Sequence, residues 1–197
     1  MKCFYLLPEP KSTNMKRKQW IIGSIVGAII VFAWQGLSWM VIGVHDNHMK
    51  YTPAQDEILT LLKSKITEEG LYSMPSGATK KEAQEMVEKN EGQPWASIIY
   101  HKEYHMDMTM RMIRAFLVDL FLVVSLIYIL TRGGVVPIAR RVFSGSVALG
   151  LAFFLAGEYM GHVWFDLPWH MITGNLIDHV VSWSLCGIWL GWWMNKK

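Results

Sequence analysis

The sequence predicts an all-α integral membrane protein. Four transmembrane helices form a bundle, with a small α+β extracytoplasmic cap between spans one and two. Three observations predict it. Residues 19–44 contain no Asp, Glu, Lys, Arg or His, a run longer than the ~18 apolar residues that read as a membrane span. Of 197 residues, 52% are hydrophobic and only 18% charged, and the charges gather between apolar stretches. Lys and Arg concentrate in alternate connecting segments, as the positive-inside rule requires of a multi-pass chain. The same composition excludes disordered, collagenous and disulfide-scaffold classes.

The first element is a polar tail, 1–19, followed by span one over 20–44. This span is too long for a signal peptide and ends without a small-x-small cleavage site, so it reads as an uncleaved anchor. Met15, directly before Lys16-Arg17-Lys18, is an alternative start that would make residues 1–14 dispensable. Span two covers 114–131 and is interrupted only by Asp119. Span three covers 143–164 and carries Glu158 and His162 near its end. Span four covers 175–194 and carries Asp178 and His179 near its start. Ser144, Ala148, Ala152 and Ala156 form a small-residue stripe in span three, and Gly23/Gly27 and Gly187/Gly191 repeat the spacing in spans one and four. Such stripes let helix backbones approach closely. Trp20, Trp192 and Trp193 sit at one interface and Trp39, Trp164 and Trp169 at the other, as an aromatic belt.

Sidedness follows from charge. The tail, the 132–142 loop and the 195–197 end together carry ten Lys and Arg against one acid, Glu9. Both termini are therefore expected in the cytoplasm. Residues 46–110 carry seven Lys and eleven acids and are expected outside, as is the 165–174 loop.

The cap, 45–113, should contain two helices and a strand pair. Thr52-Pro53-Ala54-Gln55 has the form of a capping box with Pro at the first helical position. Ile58, Leu61, Leu62 and Ile66 follow at helical spacing, and Gly70 can close that helix. Thr79 and Glu82 form a second box, before Ala83, Met86 and Val87 as the buried face. Residues 71–74 and 95–101 read as strands that can pair into a hairpin over the bundle mouth. A segment of ~65 residues rarely buries enough apolar surface alone, so the cap is expected to lean on the bundle. Cys3 and Cys186 lie on the reducing side, where a structural disulfide is not expected.

Chemistry, if any, belongs in the outer leaflet. Asp119, Glu158 and Asp178 fall about 5 to 9 Å below the outer boundary at 1.5 Å per residue, and acids at one depth on three helices should face inward. With His162, His179, Gln35 and Ser38 they form a candidate polar cluster. Three readings stay open: a structural network locking helix order, a transition-metal site, or a site of proton-coupled transport or reaction. Carboxylates with imidazoles suit zinc, iron, manganese or Cu(II). A metal set could draw on His162, Glu158, His179 and His45. Soft donors follow in His105, Met106, Met108 and Met110, where a copper site competes with ordinary helix packing. No phosphate loop, nucleophile elbow, zinc-protease motif or basic nucleic-acid patch is present. The expected function is a non-enzymatic accessory or binding protein. The alternatives are a copper- or zinc-binding or transport protein, and a small enzyme using Asp, Glu and His. The bilayer is the expected partner, with room for a membrane protein partner and none for nucleic acid.

Residues 31–41 (VFAWQGLSWMV) followed by His45, the Gly70-Leu71-Tyr72-Ser73-Met74-Pro75 stretch, the acid in span two and Ile177-Asp178 resemble a family of bacterial four-span inner-membrane proteins. That family carries Pro-Trp-His after span one, where this chain has Gly43-Val44-His45. The resemblance implies four spans and a bacterial inner membrane, and brings no function with it.

Overall fold

The computed structural model describes residues 16–131 and 137–196. Lys2, Cys3, Glu9, Lys11, Met15, Arg132 and Lys197, used above for topology, start site and redox state, lie outside them. The chain divides into two compact units: Tyr51–Asp107, and the residues up to Lys50 together with those from Met108 onward.

The larger unit is helical. α1 (Arg17–Leu37) continues into a π-helical turn, Ser38–Ile42. α4 (Met108–Thr131) is next in this unit. α5 (Ile138–Phe154) runs through a second π turn, Leu155–Tyr159, into the short α6 (Met160–Phe165). α7 (Trp169–Asn195) ends the unit. Three continuous helical stretches are long and apolar enough to cross a membrane: Arg17–Ile42, Met108–Thr131 and Ile138–Phe165. Their outward faces carry Ile21, Ile25, Leu117, Phe121 and Ile129, all strongly exposed. Such rows suit lipid and would be costly in water. The chain thus has the character of a multi-pass membrane protein.

α1 packs on α4 and α7, and α5 packs on α7 and α4. The core between them holds Ala28, Val31, Val123, Ile127, Val142, Trp183 and Leu190. Small residues permit the contacts, though not all of those expected. Gly27 faces Val123 and Cys186, and Gly187 faces Ser146. In α5 the inward row is Val142, Ser146, Gly150 and Phe154. The expected stripe of Ser144, Ala148, Ala152 and Ala156 is exposed. Both rows have four-residue spacing, so spacing alone could not choose between them. The inward row ends in Phe154, a buried aromatic that the outward row lacks. Buried Ser24 and Ser146 satisfy their hydroxyls by donating to the carbonyls four residues back. Cys186 is a free, buried thiol.

The ends of α1 and α7 are tied at one pole. Gln19 Nε2 donates to the Lys196 carbonyl at 2.9 Å, and Trp193 Nε1 to the Gln19 carbonyl at 2.9 Å. Lys196 Nζ lies 3.5 Å from the Trp192 ring centroid. α1 and α7 are therefore antiparallel neighbours.

The smaller unit contains α2 (Gln55–Lys65), β1 (Gly70–Met74), α3 (Lys80–Lys89) and β2 (Ala96–Tyr100). β1 and β2 pair antiparallel, with Gly70 opposite Tyr100 and Met74 opposite Ala96, as the sequence predicts. Thr79 caps α3 by accepting from Glu82 N, while Glu82 Oε2 accepts from Ala78 N. Ala83 and Met86 are half-buried, but Val87 is exposed. The first box does not form. Thr52 Oγ1 accepts from Ala54 N within a turn, so α2 starts at Gln55. It ends at Lys65, and Gly70 opens β1 instead of closing α2. Three further boundaries move: α4 starts six residues before 114, α5 starts at Ile138, inside the expected 132–142 loop, and α7 starts at Trp169, inside the expected 165–174 loop.

Candidate functional site

The site grows from the two π turns and the start of α7. At the end of α1, the turn Ser38–Ile42 widens the helix by one residue per turn, and Gly43 stops it. Gly43 adopts φ +75, a left-handed conformation in which any side chain would be strained. The chain reverses, and His45 folds back against α7. Gly174 makes room: a Cβ on it would lie 3.0 Å from the His45 ring.

Asp178 is the hub of the resulting network. Its Oδ1 accepts from Trp34 Nε1 at 3.0 Å and from Ser38 Oγ at 2.5 Å. Its Oδ2 faces His45 Nε2 at 2.8 Å. Trp39 stacks on the His45 ring, with centroids 4.0 Å apart and planes 9° apart. His45 Nδ1 lies 3.4 Å from His48 Nδ1. Because a carboxylate can only accept, Nε2 of His45 carries the proton. Neutral His45 then accepts at Nδ1, and His48 donates. The result is an ordered chain from His48 through His45 to Asp178. Burial holds the His48 pKa below the ordinary histidine value.

Beside this network lies a cavity of about 610 Å³. Asp119, Glu158, Asp178, His179 and Gln35 all line it, so four of the five expected convergent residues share one site, with Gln35 as expected. Ser38 reaches the site through its bond to Asp178. Asp119 is buried, and its Oδ1 accepts from Gln35 Nε2 at 3.3 Å. Glu158 Oε2 accepts from Asn175 Nδ2 at 2.8 Å. Arg111, Asn175 and Ser182 add polar groups, and Phe32, Trp39, Met108, Met112, Phe153 and Trp183 supply apolar wall.

His162 is not part of this site. Its Nδ1 lies 2.6 Å from the Leu167 carbonyl, and its ring packs on Trp169 at 4.3 Å. Glu158 lines the cavity, while His162, four residues on, is held by the Leu167 carbonyl and the Trp169 ring instead.

The metal sets are not assembled either. Among the described residues, no three His, Cys, Asp or Glu side chains come together as a metal-binding group. His45 is engaged by Asp178 and His162 by Leu167, while His179 and Glu158 line the cavity without a third donor placed to complete a metal-binding group with them among the described residues. Of the soft donors, His105 and Met106 precede α4 in the smaller unit, and Met108 and Met110 lie on α4. Met108 lines the cavity wall. Sequence reasoning missed Trp34, Asn175 and Arg111 as site residues, and it gave His45 to a metal. An indole and an amide one or two turns from an acid on neighbouring spans were the available signal.

Compared with known proteins, the chain matches no family model, no curated protein and no solved structure; the site is read from its own geometry.

Proposed function

We propose that this chain is a non-enzymatic binding protein of four membrane spans, with both termini cytoplasmic, and that it holds a small molecule in the cavity lined by Asp119, Glu158 and Asp178. The supporting observation is the cavity itself. At about 610 Å³ it falls in the range of small-molecule sites, and it has their composition of apolar wall with a few convergent polar groups. α7 supports the fourth span. From the Asp178 network to the Lys196 tie it accompanies α1 over roughly 18 residues, or ~27 Å, close to the ~30 Å of a hydrocarbon core. The cation excess on the tail, the 132–142 loop and the end supports the orientation. The motif resemblance supports a bacterial inner membrane.

A second reading, proton transfer, draws on the His48–His45–Asp178 chain, in which each imidazole is already ordered to pass a proton to the next acceptor. No nucleophile or catalytic motif accompanies it.

Native mass spectrometry of the purified chain in mild detergent tests binding. Wild type should carry a small-molecule adduct. Ala115→Phe, which puts a ring into the cavity from its wall, should carry the bare mass while keeping its melting temperature. A bare wild-type spectrum under conditions that preserve bound lipid would refute the proposal.

A further inference from the structure

The cavity contains one group whose hydrogen-bonding capacity the protein leaves incomplete. Asp119 is 4% exposed. Its Oδ1 accepts from Gln35, but its Oδ2, fully enclosed, has no donor among the described residues. The other two carboxylates are better served: Asp178 has three partners on α1 and the turn after it, and Glu158 has Asn175. A carboxylate oxygen enclosed by apolar wall is costly until a donor meets it.

Three properties of the cavity define that donor. Three carboxylates face it against one guanidinium, Arg111, so its field attracts cations and repels anions. Its walls include Phe32, Phe153 and Trp183, whose ring faces also favour a positive charge. No trio of metal-binding side chains is present among the described residues, so a bare metal ion lacks its ligands. Resting on the reading of this cavity as a ligand site, we infer that its ligand is an organic ammonium: a protonated amine pairs with the Asp119 carboxylate, which lines the cavity, while its apolar body lies along the aromatic wall. An amine head supplies up to three donors. A charge-assisted bond to a carboxylate is about twice as strong as a neutral one.

Three probes of one shape test this: phenethylamine, the neutral phenethyl alcohol and the anionic 3-phenylpropanoate. The full chain is placed in phosphatidylcholine nanodiscs and titrated by tryptophan fluorescence, since Trp39 and Trp183 line the cavity. Empty nanodiscs correct for partition into lipid. Phenethylamine should bind at least about tenfold tighter than the alcohol, and 3-phenylpropanoate weakest. Asp119→Asn should remove that about tenfold advantage and leave alcohol binding within about threefold. If Asp119→Asn does not fold, the wild-type order of the three probes decides. An alcohol equal to or tighter than the amine, or a preference for the anion, overturns the ammonium assignment and leaves the cavity reading intact. If no probe binds wild type, and Ala115→Phe is indistinguishable from it, both fall together.

Discussion

Asp178 satisfies both carboxylate oxygens with donors from a single stretch of chain, Trp34 to His45. Each bond then fixes the next: the carboxylate sets the His45 tautomer, and His45 sets the direction in which His48 donates. His48, outside the spans, gives this order a pH dependence. Burial lowers its pKa, so between its ordinary value of about 6.5 and its folded value the unfolded chain binds more protons than the folded one. Stability then rises with pH across that window. The contribution is complete above pH ~6.5 and declines as acid takes the pH below it. Chemical denaturation in micelles at pH 5.0 and 7.5 should show wild type weaker at the lower pH. His48→Gln should reduce the difference, and an unchanged difference in that variant would exclude His48 as its source.

At the scale of elements, the π turns and glycine contacts do most to shape the site. α5 and α7 meet where a Cβ on Gly150 would lie 2.8 Å from the His179 carbonyl and 2.7 Å from Trp183 Cδ1. The nearest polar obstacle is backbone, which cannot swing aside. Gly150→Ala should therefore separate the helices at a cost of ~1 to 3 kcal/mol, read as a lower melting temperature in micelles. Gly157→Ala is its control, since nothing lies within 4 Å of that position, and should stay close to wild type. Equal losses in both would mean that close approach at Gly150 does not govern the effect, since helix propensity alone favours Ala over Gly. Because His179 also lines the cavity, the Gly150 change should weaken ligand retention as well.

For the whole molecule, helix identity, the apolar stretches and the β1–β2 pair were legible because periodicity and turn residues encode them directly. Matching the depths of Asp119, Glu158 and Asp178 was enough to place them at one cavity. Rotation about a helix axis was not legible. The choice between Ser146 and Ser144 as the inward row depends on tertiary packing, and the loss of His162 from the site depends on its contacts with Leu167 and Trp169, which no local pattern announces. His45 escaped for a related reason: its role requires the reversal at Gly43 and the clearance at Gly174, on segments about 130 residues apart. The proposed sidedness has its own test. In a chain with Cys3 and Cys186 replaced by Ser, Glu85→Cys should react with an impermeant maleimide from outside intact cells. Labelling only after the cytoplasm is opened would reverse the topology.

The three partners of Asp178 precede it by 144, 140 and 133 residues. During synthesis at ~5 to 20 residues per second, the first span would therefore wait some 7 to 30 s for its acid. Until then the indole of Trp34, the hydroxyl of Ser38 and the ring of His45 must find temporary company in lipid headgroups, water or an insertion chaperone. The network can close only after Asp178 has been made. A chain that stops before the last helix leaves Trp34, Ser38 and His45 without the acid that joins them.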